Sequence, residues 1–158
     1  MLVEEQLKKL GLSLPPPAEP MFQYVPVTVH NGVAYVSGQL PKEDGEVRVT
    51  GKVGDALDVE TARRAARICI LQGLSCLKSA IGSLDNVDRI LKVTGFVASA
   101  PGFNQQPRVI DAASDLLYDL FGERGRHARS AVGVTELPRN APVEIEMVIA
   151  VKTADAVG

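Results

Sequence analysis

The apolar positions of this chain recur at two different spacings, and each spacing predicts a different element. Between Asp58 and Gly82, the residues Ala62, Ala65, Ala66, Ile68, Cys69, Leu71, Leu74, Leu77 and Ile81 fall at helical intervals. That stripe predicts one long amphipathic helix, with Asp58 as its N-cap, Glu60 in its first turn and Gly82 as its stop. Gly73 inside it weakens the helix by about 1 kcal/mol relative to alanine and marks a place of close packing. A second helix is expected over 106–121, with Pro107 in the first turn, Gly122 at the end, and Val109, Ile110, Ala113, Leu116, Leu117 and Leu120 turned inward.

Elsewhere the chain reads as strands. The runs 24–29 and 33–38 flank Asn31-Gly32, a strong hairpin signal because both positions accept a positive φ. A short strand over 46–50 follows the turn at Asp44-Gly45, and further strands are expected over 90–99, 129–137 and 143–151. In the last of these, Val143, Ile145, Met147, Ile149 and Val151 share one face, and Glu144 and Glu146 fall on the other. The order ββ(β)αβαββ predicts an α+β domain, two long helices packed in one layer against a mixed sheet of five to six strands. Residues 22–152 form that domain. Residues 1–21 form an N-terminal arm, a short helix over 3–10 followed by the proline-rich LPPPAEP, and 153–158 is a tail expected to fray.

A length of 158 residues suits one domain with a real core, and 46% apolar with 23% charged residues is ordinary globular composition. The net charge of −2 argues against a dedicated nucleic-acid binder. The one cationic cluster is Arg124, Arg126 and Arg129 with His127. Cys69 and Cys76 lie about 10 Å apart along the first long helix, too far for a disulfide, and read as small buried residues. His30 and His127 are the only histidines, and no Cys/His spacing suits a metal. The first residues carry no signal-peptide pattern and no run of eighteen apolar residues occurs, so a cytoplasmic protein is expected.

The stretch HARSAVGV (127–134) points to chemistry. Alternation places Arg129, Ala131, Gly133 and Thr135 on one strand face. A guanidinium beside very small side chains predicts an arginine-lined cavity in need of an anion. His127 shares that face, as a residue at the cleft rim or as a proton shuttle. Glu144 and Glu146 are surface carboxylates, or partners of Arg129.

The segments YVSGQLP (35–41) and ARSAVGVTELPRNAPVEIEMVIAV (128–151) resemble the RidA/YjgF family of reactive-intermediate deaminases, also called endoribonuclease L-PSP. The pattern A-R-S-x-V-x-V-x-x-L-P and the E-I-E after it stand here at the family's spacing, and the likeness covers residues 22–152. The resemblance implies a chorismate-mutase-like fold, a homotrimer with clefts between subunits, and hydrolysis of 2-imino and enamine acids to 2-oxo acids and ammonia without a cofactor. It implies that Arg129 binds the substrate carboxylate and that Glu144 positions the attacking water. It places Tyr24, Ser37, Gly38, Phe96, Asp111 and Ala131 around the substrate. Two of these depart from the family: Ala131 stands where many members carry cysteine, and Asp111 where the deaminase branch usually has asparagine. An Asp111 facing the pocket would compete for Arg129. A non-catalytic module that binds small carboxylates is the second reading, and a ribonuclease the third, disfavoured by the 4% aromatic content.

Overall fold

The computed structural model describes residues 2–153, so all but Thr153 of the tail expected to fray lies outside the described residues. After a short helix α1 (Val3–Lys9) come β1 (Val27–His30), β2 (Val33–Gln39), β3 (Lys42–Glu43) and β4 (Glu46–Val47). They are followed by α2 (Val59–Ile81), β5 (Val87–Ala98), α3 (Gln106–Phe121), β6 (Ala128–Val134) and β7 (Val143–Val151). Five strands form one sheet in the order β1-β2-β7-β5-β6, with β5 and β6 parallel and the other pairs antiparallel. This is the expected two-layer α+β architecture. No helix of the described residues is long and apolar enough to cross a membrane.

Local signals explain most boundaries. Asn31 and Gly32 take φ values of 50° and 74° in the tight β1–β2 turn. The Asp58 carboxylate accepts the Thr61 N–H at 2.8 Å, which caps α2 and holds Asp58 below its ordinary pKa. Gly82 closes α2 at φ 85°. The stripe of α2 packs with α3 over one face of the sheet. Ile70, Leu74, Leu77, Ile110, Leu116 and Leu117 meet Ile90, Ile145, Met147 and Ile149, all fully buried, each worth about 1.5–3 kcal/mol of burial. Gly73 is a point of close packing, as expected: a Cβ there would stand 2.6 Å from Met147 Cε.

Three expectations change. The first strand begins at Val27, not at residue 24, because Pro26 offers no N–H for the ladder. The strand expected over 46–50 shrinks to Glu46–Val47 and pairs only with β3, so the main sheet has five strands. The GERGRHA segment that follows α3 is built into the fold. Gly122–Gly125 forms a 3₁₀ turn, and Gly125 packs so tightly on α3 that a Cβ would collide with the Leu117 carbonyl. The sixth strand ends at Val134 rather than 137.

The arm docks on this domain. Val3 and Leu7 join the core, the Val3 N–H donates to Asp85 Oδ1 at 3.0 Å, and Lys78 pairs with Glu4. Farther along, Ser75 Oγ donates to the Pro15 carbonyl, which lays the proline segment across α2.

Helices cover only one face of the sheet. On the other, Tyr35 and Val132 are exposed apolar residues, with Val148, Thr94 and Phe96 partly covered between them.

Candidate functional site

The end of β2 builds the first half of the site. From Val36 to Gln39 the chain spends three residues of β2 against two of β7, from Met147 to Ile145, so Ser37 and Gly38 form a bulge. Glu144 of β7 projects against this bulge. A Cβ on Gly38 would collide with Glu144 Oε1, so the carboxylate occupies the space that glycine leaves. Tyr24, Ser37, Gly38 and Glu144 together line a cavity of about 510 Å³, walled on one side by Pro15–Glu19 of the arm. Glu144 is half-buried and forms no ion pair among the described residues. Burial, reinforced by the charge of Glu146, raises its pKa from the ordinary glutamate value. Phe96 of β5 lies directly across from Glu144 in the ladder.

Arg129 builds the second half. Its Nη1 donates to Asp111 Oδ1 at 2.8 Å and to Ser114 Oγ at 3.1 Å, both on α3. His127 Nδ1 lies 2.7 Å from the Gly125 carbonyl, which can only accept, so Nδ1 carries the proton. Burial, with the Arg129 charge beside it, lowers the His127 pKa and keeps the ring neutral. Its Nε2 then accepts from Ser114 Oγ at 2.9 Å, and Ser114 in turn accepts from Arg129. The chain Arg129–Ser114–His127–Gly125 holds the guanidinium against α3. Arg129, Ser114 and His127 border an open groove of about 730 Å³ with Tyr118 and Arg126.

The small-residue face of β6 is not the open cavity that alternation suggests. It faces α3: Ala131 packs on the core, and a Cβ on Gly133 would stand 2.7 Å from Gln106 Nε2. The anion that Arg129 requires is Asp111 of the same chain. The pair is modest, since the Asp111 side chain is 52% exposed and solvent screens it.

The two halves do not meet within one chain. Glu144 pairs with Phe96, and Phe96 with Val132, so Glu144 shares a sheet face with Val132. Arg129 lies three residues before Val132 and therefore points to the opposite face, toward the helices. Two inter-strand spacings, about 10 Å, separate β7 from β6 as well. Tyr24, Ser37, Gly38, Glu144 and Phe96 form one group, and Arg129, Asp111 and Ala131 another.

Three contributors were not singled out in the sequence. Ser114 stands one turn after Asp111 on α3, a spacing that puts both before Arg129. Gln72 is a buried polar residue inside the apolar run CILQGLSCL, and that interruption is its only signal. Arg139 lines the Glu144 cavity from a turn where its φ is 57°.

Residues 16–151 match the family described as Endoribonuclease L-PSP. Protein TCP17 of Trypanosoma cruzi is 44% identical over 148 residues, covering 93% of this chain and 92% of that protein. A putative regulator, AldR, of Lactococcus lactis is 30% identical over 132 residues, with 82% and 88% covered. A 2-iminobutanoate/2-iminopropanoate deaminase of Dermatophagoides farinae is 27% identical over 143 residues, with 89% and 95% covered. Among solved structures, the protein Atu1372 of Agrobacterium tumefaciens, of unknown function, superposes with a TM-score of 0.89 at 45% identity, with 96% and 93% covered.

Proposed function

This chain belongs to the Endoribonuclease L-PSP family, and from that premise we propose that it hydrolyses 2-imino acids to 2-oxo acids and ammonia. The observation that carries the reading is the half-buried Glu144 carboxylate, seated against Gly38 in a cavity with Tyr24 and Ser37, its pKa raised by burial. A carboxylate of that kind suits a general base. The similarity to an imine deaminase supports the reaction class.

In this scheme copies of the chain associate as a homotrimer through the sheet face that no helix covers. Arg129 stands on the edge strand β6, and past that edge the guanidinium of one copy meets the Glu144 cavity of the next. The guanidinium grips the substrate carboxylate in a two-pronged contact, and Phe96, Asp111 and Ala131 complete the surroundings. Glu144 takes a proton from water as its oxygen bonds to the imine carbon. Glu144 hands that proton to the nitrogen, giving a carbinolamine, and then carries the hydroxyl proton to the nitrogen as the carbon–nitrogen bond breaks, so that the C=O of the 2-oxo acid forms and ammonia leaves. Orientation supplies most of the acceleration, because imines already hydrolyse in water.

Gly38→Ala tests the placement of Glu144. Gly38 lies outside the left-handed backbone region, so alanine fits the backbone and only the flexible carboxylate must move. The expected result is an unchanged melting temperature with 2-iminopropionate hydrolysis slowed about 10- to 100-fold. A variant as fast as wild type contradicts the scheme.

Asp111 competes with the substrate for Arg129. Its exposed pair is worth about 0–1 kcal/mol, so Asp111→Asn is expected to tighten 2-oxo acid binding by up to about fivefold. Calorimetric titration reads the change.

A second reading is a non-catalytic module that binds the same small carboxylates and regulates a partner. The similarity to a putative regulator favours it. Binding of 2-oxo acids with no acceleration of imine hydrolysis is its expected signature.

A further inference from the structure

We propose that the Glu144 cavity takes a 2-imino or 2-oxo acid whose side chain ends in a second carboxylate, and that Lys42 and Arg139 select it. The inference rests on the reading of that cavity as the site of such an acid.

Lys42 and Arg139 are the two cations among the residues that line the cavity. Lys42 is partly buried, and Arg139 is exposed at the mouth. Neither forms an ion pair among the described residues. Three carboxylates line the same space. Asp44 is held by Arg48 at 3.2 Å. Glu144 sits against Gly38 of the β2 bulge. Glu19 is exposed on the arm, where it also borders a separate groove with Cys76 and Ser79. Lys42 and Arg139 therefore face the cavity without an anion of their own chain, and a ligand carboxylate supplies one.

The backbone presents both cations. Lys42 opens β3 and pairs with Val47 in its short ladder. It comes four residues after Gly38, so at most about 14 Å of chain separates it from the bulge that holds Glu144. Its flexible four-carbon stem spans part of that gap. Arg139 lies in the turn before β7, at φ 57° and ψ 24°. Asparagine enters this left-handed region readily, as Asn140 does beside it, whereas arginine seldom does. The turn is fixed by the Asn140 N–H donating to the Leu137 carbonyl at 3.2 Å and the Ala141 N–H to the Pro138 carbonyl at 3.1 Å. A side chain held at the cavity by so costly a backbone points to a use for it.

Chemistry selects among ligand side chains. The 2-carboxylate belongs to Arg129 in the scheme above, which leaves Lys42 and Arg139 for the other end of the molecule. The volume of about 510 Å³ leaves room beyond a three-carbon acid. An apolar side chain leaves both cations unmatched, and a cationic one is repelled by them. A carboxylate accepts two parallel hydrogen bonds from the Arg139 guanidinium and meets Lys42 as a point charge.

The test is calorimetric titration of the full chain with 2-oxoglutarate and 2-oxopentanoate. Both have five carbons in line, and only the first ends in a carboxylate. Wild type is expected to bind 2-oxoglutarate about tenfold more tightly than 2-oxopentanoate. That ratio is expected to fall to about threefold in Lys42→Met and in Arg139→Gln, and to within about twofold in the double variant. Lys52→Met removes a cation that pairs with Glu136 outside the cavity, and is expected to keep the wild-type ratio. Affinity for 2-oxopentanoate is expected to stay the same in all of these, which reports an intact fold. Wild type without a preference, a preference that survives the double variant, or one that Lys52→Met lowers as much overturns the proposal. Hydrolysis of 2-iminoglutarate and 2-iminopentanoate, measured alongside, separates the two readings. Selective binding of the diacid without turnover keeps this proposal and removes the deaminase, whereas turnover without diacid selectivity does the reverse.

Discussion

Glu144→Gln is expected to lower kcat/KM for imine hydrolysis by about 100-fold or more, the usual contribution of a placed general base. The glutamine keeps the shape of the side chain and its position against Gly38, but it cannot take a proton from water. The pH profile gives a finer check. Glu144 acts as carboxylate, and burial followed by the Glu146 charge raises its pKa. In wild type the rate is therefore expected to fall on acidification above the ordinary glutamate pKa of about 4.3. Glu146→Gln removes one cause of the shift and moves that acid limb to lower pH. Stability moves the other way. A carboxyl group whose pKa is raised by folding stabilises the fold below its unfolded pKa, and that contribution is lost as the pH rises through the raised value. At neutral pH the charge of Glu144 works against folding, so Glu144→Gln is expected to melt no lower than wild type.

Arg129→Ala carries the second large effect. Two charge-assisted hydrogen bonds to the substrate carboxylate disappear, and kcat/KM is expected to fall about 100-fold, mainly through KM. Arg129→Lys recovers little, because an ammonium cannot present two parallel donors. The fold tolerates the change. Asp111 is left solvated, and the lost pair is worth about 0–1 kcal/mol. Steady-state kinetics over a range of 2-iminopropionate concentrations separates this KM effect from the kcat effect of Glu144→Gln.

Much of the domain was legible because local chemistry and long-range packing agree in it. Asp58, Gly82 and the apolar stripe between them state where α2 begins, ends and faces. Asn31-Gly32 states the β1–β2 turn, and the alternation of VEIEMVIAV states which face of β7 is buried. The candidate site was legible as a set of residues through the resemblance to a family, but its geometry was not. Alternation reports that Arg129, Ala131 and Gly133 share a face. It does not report what covers them, so a helix-packed surface reads as a cavity. The Arg129–Asp111 contact joins residues 18 apart on different elements, and nothing local announces it. Gln72 hides inside an apolar helical run, and no local pattern announces that it lines the Glu144 cavity. The shortness of β4 follows from what it pairs with, which no window of its own residues contains. The division of Arg129 and Glu144 between opposite sheet faces requires the strand order and the register of three strands, and both are properties of the whole fold.

That division makes the central claim testable by mixing. Arg129→Ala and Glu144→Gln are each nearly inactive in this account, yet each keeps the half of the site that the other lacks. Co-expressed in equal amounts, they form mixed trimers in which about a quarter of the clefts pair an intact Arg129 with an intact Glu144. The account predicts that the co-expressed protein recovers about a quarter of the wild-type rate of 2-iminopropionate hydrolysis. A co-expressed mixture no faster than either variant alone, in trimers shown by mass spectrometry to contain both, would contradict it.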